Sequence, residues 1–260
     1  MTSSARIPLV LGNWKMHTSL PEARELAGAT GEAAARHPEV EVGVLPPYPW
    51  IVPLAEALGS EPAVRVGAQD IAPEAEGAFT GDVAAEMLAP YVRFMLVGHS
   101  ERRHGHGETD GEVRTKLDAV YRVDRIPVLA VGETEQERQA GRAVHVVTQQ
   151  LATALNDRPP AALETLVIAY EPVWAIGTGQ AATPDDAAEM AGVIRDVLRE
   201  LDQDAAERTR VLYGGSVKAD NAREFFAVPD IDGGLVGGAS LDASTFSEII
   251  AAAGVGGSRD

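Results

Sequence analysis

The sequence contains no cysteine, and this absence excludes several kinds of chemistry at once. A chain of 260 residues without a thiol cannot form disulfides, use a thiolate nucleophile or build a cysteine-based metal site. Basic residues are also scarce, since 22 Lys and Arg stand against 39 Asp and Glu, a formal net charge of −17. Nucleic acids and anionic membrane surfaces need a basic footprint, so neither is an expected partner. A few local cations could still hold one small anion.

Long apolar runs are missing as well. No stretch approaches the ~20 apolar residues of a membrane helix, and residues 1–8 lack the apolar core of a signal peptide. We therefore expect no membrane partner and a cytoplasmic location. Lysine is limited to Lys15, Lys116 and Lys218, so a function that needs a lysine side chain has few candidates.

Eight short apolar segments recur along the chain with helical stretches between them. They show almost no polar alternation, which is typical of strands buried on both faces of a parallel sheet. Strand–helix alternation over the full length predicts an α/β fold, a closed (β/α)8 barrel with residues 1–260 as a single domain. A doubly wound open sheet is the alternative. The segments are 9–11, 40–45, 64–66, 94–97, 128–131, 166–169, 210–213 and 234–236.

Two helices have clear sequence signals. Residues 21–35 are rich in Ala, Glu and Arg. A second helix is predicted to begin after Thr183, with that residue as N-cap and Pro184 in the first turn. Its apolar residues recur every three or four positions, which places them on one face.

Polar residues and glycine pairs follow several of the predicted strands. In a (β/α)8 barrel the carboxyl ends of the strands form the face that carries the chemistry. Asn13 and Lys15 follow the first strand, His99 the fourth and Glu171 the sixth. Gly-Gly pairs at 214–215 and 237–238 follow the seventh and eighth strands, where glycine lets backbone N–H groups approach a phosphate. Neither has the spacing of a nucleotide-binding loop, so no nucleotide cofactor is expected.

These residue types suit proton transfer next to a carbonyl group. Glu171 would remove the carbon-bound proton, His99 as a neutral imidazole would move protons between two oxygens, and Lys15 would neutralise negative charge. Such a reaction needs no metal and no redox cofactor. Taken singly, each residue also fits a structural role, and only their joint placement favours chemistry. His104 and His106 provide two ligands where a metal site needs three or four, so we expect no metal.

The segment after the sixth strand has the features of a catalytic base followed by a lid, a loop that closes over the base. Pro172 stiffens the exit of the chain behind Glu171, and two glycines at 177 and 179 permit unusual backbone conformations. An ordinary loop with an exposed carboxylate is the alternative. The rest of the chain favours the lid, because Lys15 and His99 provide partners for Glu171.

Five motifs together resemble the triosephosphate isomerase family over essentially the whole chain. They are Gly12-Asn13-Trp14-Lys15-Met16, Gly98-His99-Ser100-Glu101-Arg102-Arg103, the segment 169–179, Tyr213-Gly214-Gly215-Ser216-Val217 and the segment 235–241. The resemblance implies interconversion of dihydroxyacetone phosphate and D-glyceraldehyde 3-phosphate, in glycolysis and gluconeogenesis, with no cofactor.

The resemblance also implies roles for individual residues. Glu171 is similar to the family's catalytic base, His99 to its electrophile, and Lys15 and Asn13 to substrate contacts. It implies further groups for phosphate binding, for support of the site and for the dimer contact. The implied phosphate contacts are Gly177, Ser216, Gly237 and Gly238, and the implied interface residues are Phe79 and Thr80. Among the supporting residues, Glu101 would orient Lys15 or the loop near it, and Tyr213 would latch the lid. Ile176 and Leu235 would close over Glu171 and raise its pKa by desolvation.

The segment 77–81 resembles the tip of the family's interdigitating third loop. The resemblance implies a homodimer in which Thr80 reaches the neighbour's active site, and a tetramer stays open. The chain departs from the family at Ala130, where Cys is common, and at Gln180, where Lys is frequent. His17 and His106 stand at positions near the dimer contact. Two alternatives remain: an isomerase of a four-carbon ketose phosphate, and a barrel that binds phosphorylated ligands without catalysis.

Overall fold

A closed barrel of eight parallel strands forms the centre of the protein. The computed structural model describes residues 6–60, 62–176 and 182–256. The strands follow each other around the barrel in chain order, and β1 pairs with both β2 and β8. This closure confirms the (β/α)8 prediction and excludes the open sheet. The strands are β1 Leu9–Asn13, β2 Glu41–Leu45, β3 Val64–Ala68, β4 Phe94–Val97, β5 Ile126–Val131, β6 Val167–Tyr170, β7 Arg210–Tyr213 and β8 Gly233–Val236.

Helices of very different length surround the barrel. All eight predicted strand segments are present, with ends that shift by up to two residues. Shifts of two residues occur at the ends of β1 and β3 and at the start of β5, which begins at Ile126 and includes Pro127, a residue that is typical of the first positions of a strand. The helices are α1 Leu20–Arg36, α2 Tyr48–Leu58, α3 Ala85–Leu88, α4 Ser100–Gly105, α5 Asp110–Arg122, α6 Glu135–Gln139, α7 Ala143–Leu155, α8 Pro160–Thr165, α9 Pro184–Leu201, α10 Gln203–Arg208, α11 Ala222–Phe226 and α12 Ala243–Gly256.

The core has two layers because side chains alternate along each strand. An inner layer fills the barrel and includes Leu11, Phe94, Ala130 and Leu235, all at most 2% exposed. A larger outer layer packs the strands against the helices. Gly43 shows how tight the interior is, because a Cβ there would lie 2.7 Å from Leu11 Cδ2. This packing holds the strand ends in fixed positions.

Helix α9 begins as the sequence predicts. The Thr183 side chain accepts the N–H of Asp186, and the Asp186 carboxylate accepts the N–H of Thr183 in return. The buried face includes Ile194 and Leu198, and it also carries Arg195, which is 1% exposed. That arginine donates to the carbonyl of Thr209 at 2.7 Å.

Across the described ranges, none of the helices is long and apolar enough to cross a membrane.

Candidate active site

A cavity of about 530 Å³ lies at the carboxyl ends of the strands. Most of the residues that the sequence singled out line it together, although they are far apart in the chain. Those residues are Asn13, Lys15, His99, Glu101, Glu171, Ile176, Ser216, Leu235, Gly237 and Gly238.

Glu171 stands directly after β6 and is held in place by several neighbours. Its N–H donates to the carbonyl of Val131 at 2.8 Å, which continues the pairing with β5. The carboxylate is nearly buried, and Oε2 accepts the backbone N–H of Ser100 at 2.8 Å. Oε1 lies 2.9 Å from Nε2 of His99. Gly214 leaves room for this side chain, because a Cβ there would lie 2.9 Å from Glu171 Cγ.

His99 is the N-cap of the short helix α4, and this position determines its tautomer. Nδ1 accepts the backbone N–H of Glu101 at 3.2 Å, so the ring proton lies on Nε2. Nε2 therefore donates to the carboxylate of Glu171. The amide that points at Nδ1 and the positive end of α4 both oppose a second proton on the ring. These two groups favour the tautomer with its proton on Nε2, whereas the Glu171 carboxylate favours the charged ring, so the neutral imidazole of the reaction stays a prediction.

The pairing also determines how the two groups titrate. Burial raises the pKa of Glu171, but the His99 ring and the Ser100 amide outweigh it, so the pKa lies below its usual value. Burial lowers the pKa of His99, and the neighbouring Glu171 carboxylate reverses this, so the pKa lies above its usual value. The desolvation expected from Ile176 and Leu235 thus does not set the pKa of Glu171 here. The reason is that the carboxylate is turned onto His99.

Lys15 occupies a strained backbone conformation at the end of β1. Its φ of 50° lies in the left-handed region, which is uncommon for a residue with a side chain. Two contacts hold this backbone: the Lys15 N–H donates to Asn13 Oδ1 at 3.1 Å, and Gln69 Nε2 donates to the Lys15 carbonyl at 2.7 Å. The ammonium group lies 2.6 Å from Glu101 Oε1. Lys15 is therefore directed by groups from the first, third and fourth strand ends.

The glycine turns after β7 and β8 form the opposite wall. Gly215 is required there, because a Cβ would lie 2.2 Å from the Tyr213 hydroxyl. Nothing lies within 4 Å of a Cβ built on Gly238, so that backbone faces open space where an anion could approach. Ser216 Oγ donates to the carbonyl of Ala175 at 2.7 Å and joins this wall to the segment that follows Glu171.

A buried carboxylate that the sequence reasoning missed lies behind the site. Glu133 follows β5 and is 0% exposed. It accepts the Trp174 indole N–H at 2.8 Å and the Tyr170 hydroxyl at 3.1 Å, and Arg138 lies 3.4 Å away. The signal was available, because Glu133 stands at the carboxyl end of a strand like the other polar residues. These contacts fix the chain on both sides of Glu171.

The remaining predicted residues lie elsewhere or cannot be placed. Tyr213 is buried and stacks on Phe225 with ring centroids 4.1 Å apart; its hydroxyl has no hydrogen-bond partner among the described residues. Gly177 and Gln180 lie outside the described residues. Phe79 and Thr80 are exposed on the loop before α3, away from this cavity.

Two further predictions concern metals and the family departures. No group of three or more His, Asp or Glu in residues 6–60, 62–176 and 182–256 could hold a metal ion. His104, His106 and His17 are exposed. Ala130 is fully buried in the inner barrel layer and pairs with Ala169 of β6, two residues before Glu171.

The closed barrel, with a carboxylate, an imidazole and a lysine facing two glycine turns, defines a (β/α)8-barrel protein with a candidate acid–base site. Comparison with known proteins agrees and is more specific. A family model described as triosephosphate isomerase matches residues 8–253. The chain belongs to the triosephosphate isomerase family.

Several curated relatives match over almost their full length. The proteins named triosephosphate isomerase of Coxiella burnetii (strain Dugway 5J108-111), Chloroflexus aurantiacus and Bordetella pertussis are 47%, 46% and 49% identical to the chain. The matches cover 94%, 94% and 96% of the chain and 96%, 98% and 99% of the three relatives.

Proposed function

We propose that the chain interconverts dihydroxyacetone phosphate and D-glyceraldehyde 3-phosphate, the isomerase step of glycolysis and gluconeogenesis. The observation that carries the proposal is the joint placement of Glu171, His99 and Lys15 in one cavity with a glycine-lined wall. Membership of the family supports the same reaction. The groups present supply every proton transfer the reaction needs.

Glu171 is the proposed base. It takes a proton from the carbon next to the substrate carbonyl, and the electron pair of that C–H bond forms the enediolate. The same carboxyl group returns the proton to the neighbouring carbon, which gives the isomeric carbonyl compound. In the described conformation both carboxylate oxygens are engaged by His99 and Ser100, so the side chain must turn towards substrate. When the side chain rotates, the carboxylate loses its contacts with His99 and Ser100, which hold its pKa down. A buried carboxylate without such contacts is a stronger base.

His99 and Lys15 are the proposed partners of the oxygens. The Nε2–H of His99 donates to the substrate carbonyl oxygen and exchanges protons between the two oxygens of the enediolate. Lys15 stabilises the negative charge that develops there, and Asn13 holds the Lys15 backbone in its strained position. Glu101 positions the ammonium group through its 2.6 Å contact.

The substrate phosphate is proposed to lie against the turns after β7 and β8. Ser216, Gly237 and Gly238 line the cavity there, and their backbone N–H groups would donate to the phosphate oxygens, with no side chain in the way at the two glycines. Ile176 and Leu235 line the same cavity, so closing the segment after Glu171 would exclude water above the carboxylate.

A homodimer is proposed from the resemblance and from exposed apolar groups. Phe79 is 46% exposed at the tip of its loop, and Met16, next to Lys15, is 93% exposed. Single exposed apolar side chains are ordinary on a protein surface, so these two groups fit an interface but the resemblance carries the proposal. Sedimentation at micromolar concentration should show a dimer that Phe79→Asp converts to monomer. A wild-type monomer contradicts the assembly. The cytoplasmic location and the single-domain extent over 1–260 stay predictions.

The direct test is a coupled assay with protein made in a host that lacks its own triosephosphate isomerase. We expect turnover in both directions with the three-carbon substrates, and a far lower kcat/KM with a four-carbon ketose phosphate. Folded protein that turns over neither three-carbon substrate would overturn the proposal.

A further inference from the structure

The three lysines of this chain have very different surroundings. Lys116 is 6% exposed, and its ammonium group lies 2.6 Å from Asp70 and also contacts Glu108. Lys15 is paired with Glu101 at 2.6 Å. Lys218 lines the active-site cavity, is exposed, and its ammonium group has no partner among the described residues. Within that part of the chain it is the one lining cation that no carboxylate already neutralises.

The turn after β7 fixes the Lys218 backbone while the charged end stays free. The Asn221 side chain bridges the turn, because its Oδ1 accepts the Lys218 N–H at 2.8 Å and its Nδ2 donates to the Ser216 carbonyl at 3.1 Å. The Lys218 carbonyl accepts the N–H of Ala222 at 2.9 Å, at the start of α11. The Lys218 ammonium group thus extends from a hydrogen-bonded turn, and this turn lies beside the glycine wall against which the phosphate is proposed to bind.

The charge of the whole protein makes such a residue consequential. A phosphate dianion approaches a chain with a formal charge of −17, and two carboxylates, Glu101 and Glu171, line the cavity itself. An unpaired cation at the mouth counteracts that repulsion locally and raises the rate of encounter.

We infer that Lys218 attracts the phosphate dianion of the substrate to the mouth of the cavity and contributes to its binding without taking part in the proton transfers. The inference rests on the proposed function for the identity of the substrate, but only on the cavity for the attraction of a phosphate dianion. Removal of the Lys218 charge should therefore change kcat/KM rather than kcat. The change should also depend on salt, because screening shortens the range of the interaction from about 30 Å at 0.01 M to about 3 Å at 1 M salt.

The kinetic test compares Lys218→Gln, Lys218→Arg and Lys218→Glu with wild type at low and high ionic strength. At about 10 mM salt the Gln variant should lose about three- to tenfold in kcat/KM, the Glu variant more, and the Arg variant little. At about 1 M salt these differences should fall below about twofold. Arg223→Gln is the matched control, since it removes one exposed positive charge from α11 outside the cavity. Wild-type kcat/KM in Lys218→Gln at low salt, or an equal loss in Arg223→Gln, overturns the inference.

A second readout separates this inference from the proposed function. Calorimetric titration with inorganic phosphate at low salt should give a dissociation constant about three- to tenfold larger for Lys218→Gln than for wild type and for Arg223→Gln. Weaker phosphate binding in the Gln variant supports the inference even if the wild-type chain shows no isomerase turnover. Equal phosphate affinity in all three proteins overturns it even if the wild-type chain is active.

Discussion

Replacement of Glu171 by Gln changes two measurable quantities for two separate reasons. Glutamine has nearly the same shape but cannot accept the substrate proton, so kcat should fall by about 10²–10⁴-fold, the usual contribution of a positioned base. Two donors, the Ser100 N–H at 2.8 Å and His99 Nε2 at 2.9 Å, point at the carboxylate. The amide offers one oxygen and one NH2 group, so it satisfies one of them.

The donor that is left without a partner lowers the free energy of unfolding of the Glu171→Gln variant. His99 cannot reverse its tautomer to accept from the amide, because the N–H of Glu101 already occupies Nδ1. A buried donor without a partner costs about 1–3 kcal/mol, so the free energy of unfolding of Glu171→Gln should fall by that amount at neutral pH. Two assays therefore follow one variant: steady-state kinetics for kcat, and urea denaturation for the midpoint at unchanged slope.

Glu171→Asp is the matched control, since it keeps both acceptor oxygens and the charge but is one methylene shorter. It should retain proton transfer at a rate about 10²-fold below wild type, the effect of a displacement near 1 Å. Near-wild-type kcat in Glu171→Gln would remove the residue from the role of base. A loss of kcat in that variant without any change in the urea midpoint would contradict the description of its resting contacts.

Three other predictions test neighbouring parts of the site. Gly214→Ala places a Cβ 2.9 Å from Glu171 Cγ, so kcat/KM should fall by about tenfold or more, and a wild-type value would contradict the steric argument. Ser100→Pro removes the backbone N–H that holds the pKa of Glu171 down, so the acid limb of the kcat/KM profile should move to higher pH. Proline is tolerated there because Ser100 is the first residue of helix α4. Ser100→Ala, which keeps the N–H, should move that limb less; an equal shift would assign the effect to the hydroxyl. Trp174→Phe deprives buried Glu133 of a 2.8 Å donor and should lower the free energy of unfolding by about 1.5–3 kcal/mol in urea denaturation, where an unchanged midpoint would refute the contact.

The sequence predicted the barrel and most of the cavity because those features depend on local patterns. Apolar runs without polar alternation mark buried parallel strands, and strand ends bring Lys15, His99 and Glu171 to one face whatever the details of packing. The glycine turns were visible for the same reason. Ends of strands were less secure, as Pro127 at the start of β5 illustrates.

Contacts between distant side chains could not be predicted in the same way. Glu133 and Trp174 are 41 residues apart, and their hydrogen bond depends on how β5 and β6 align when the barrel closes. The pairing of Glu171 with His99 depends on which direction a side chain turns, and it reverses the expected shift of the pKa. The left-handed backbone of Lys15 likewise arises from contacts with other strand ends.

The central claim is that Glu171 carries the substrate proton between two adjacent carbon atoms. Incubation of dihydroxyacetone phosphate with wild-type protein in D2O, followed by proton NMR, tests it most directly. The account predicts aldehyde formation together with deuterium at the reacting carbon, and a rate of both processes that is about 10²–10⁴-fold lower in Glu171→Gln. Absence of both from the folded wild-type protein, or equal exchange in Glu171→Gln, would contradict it.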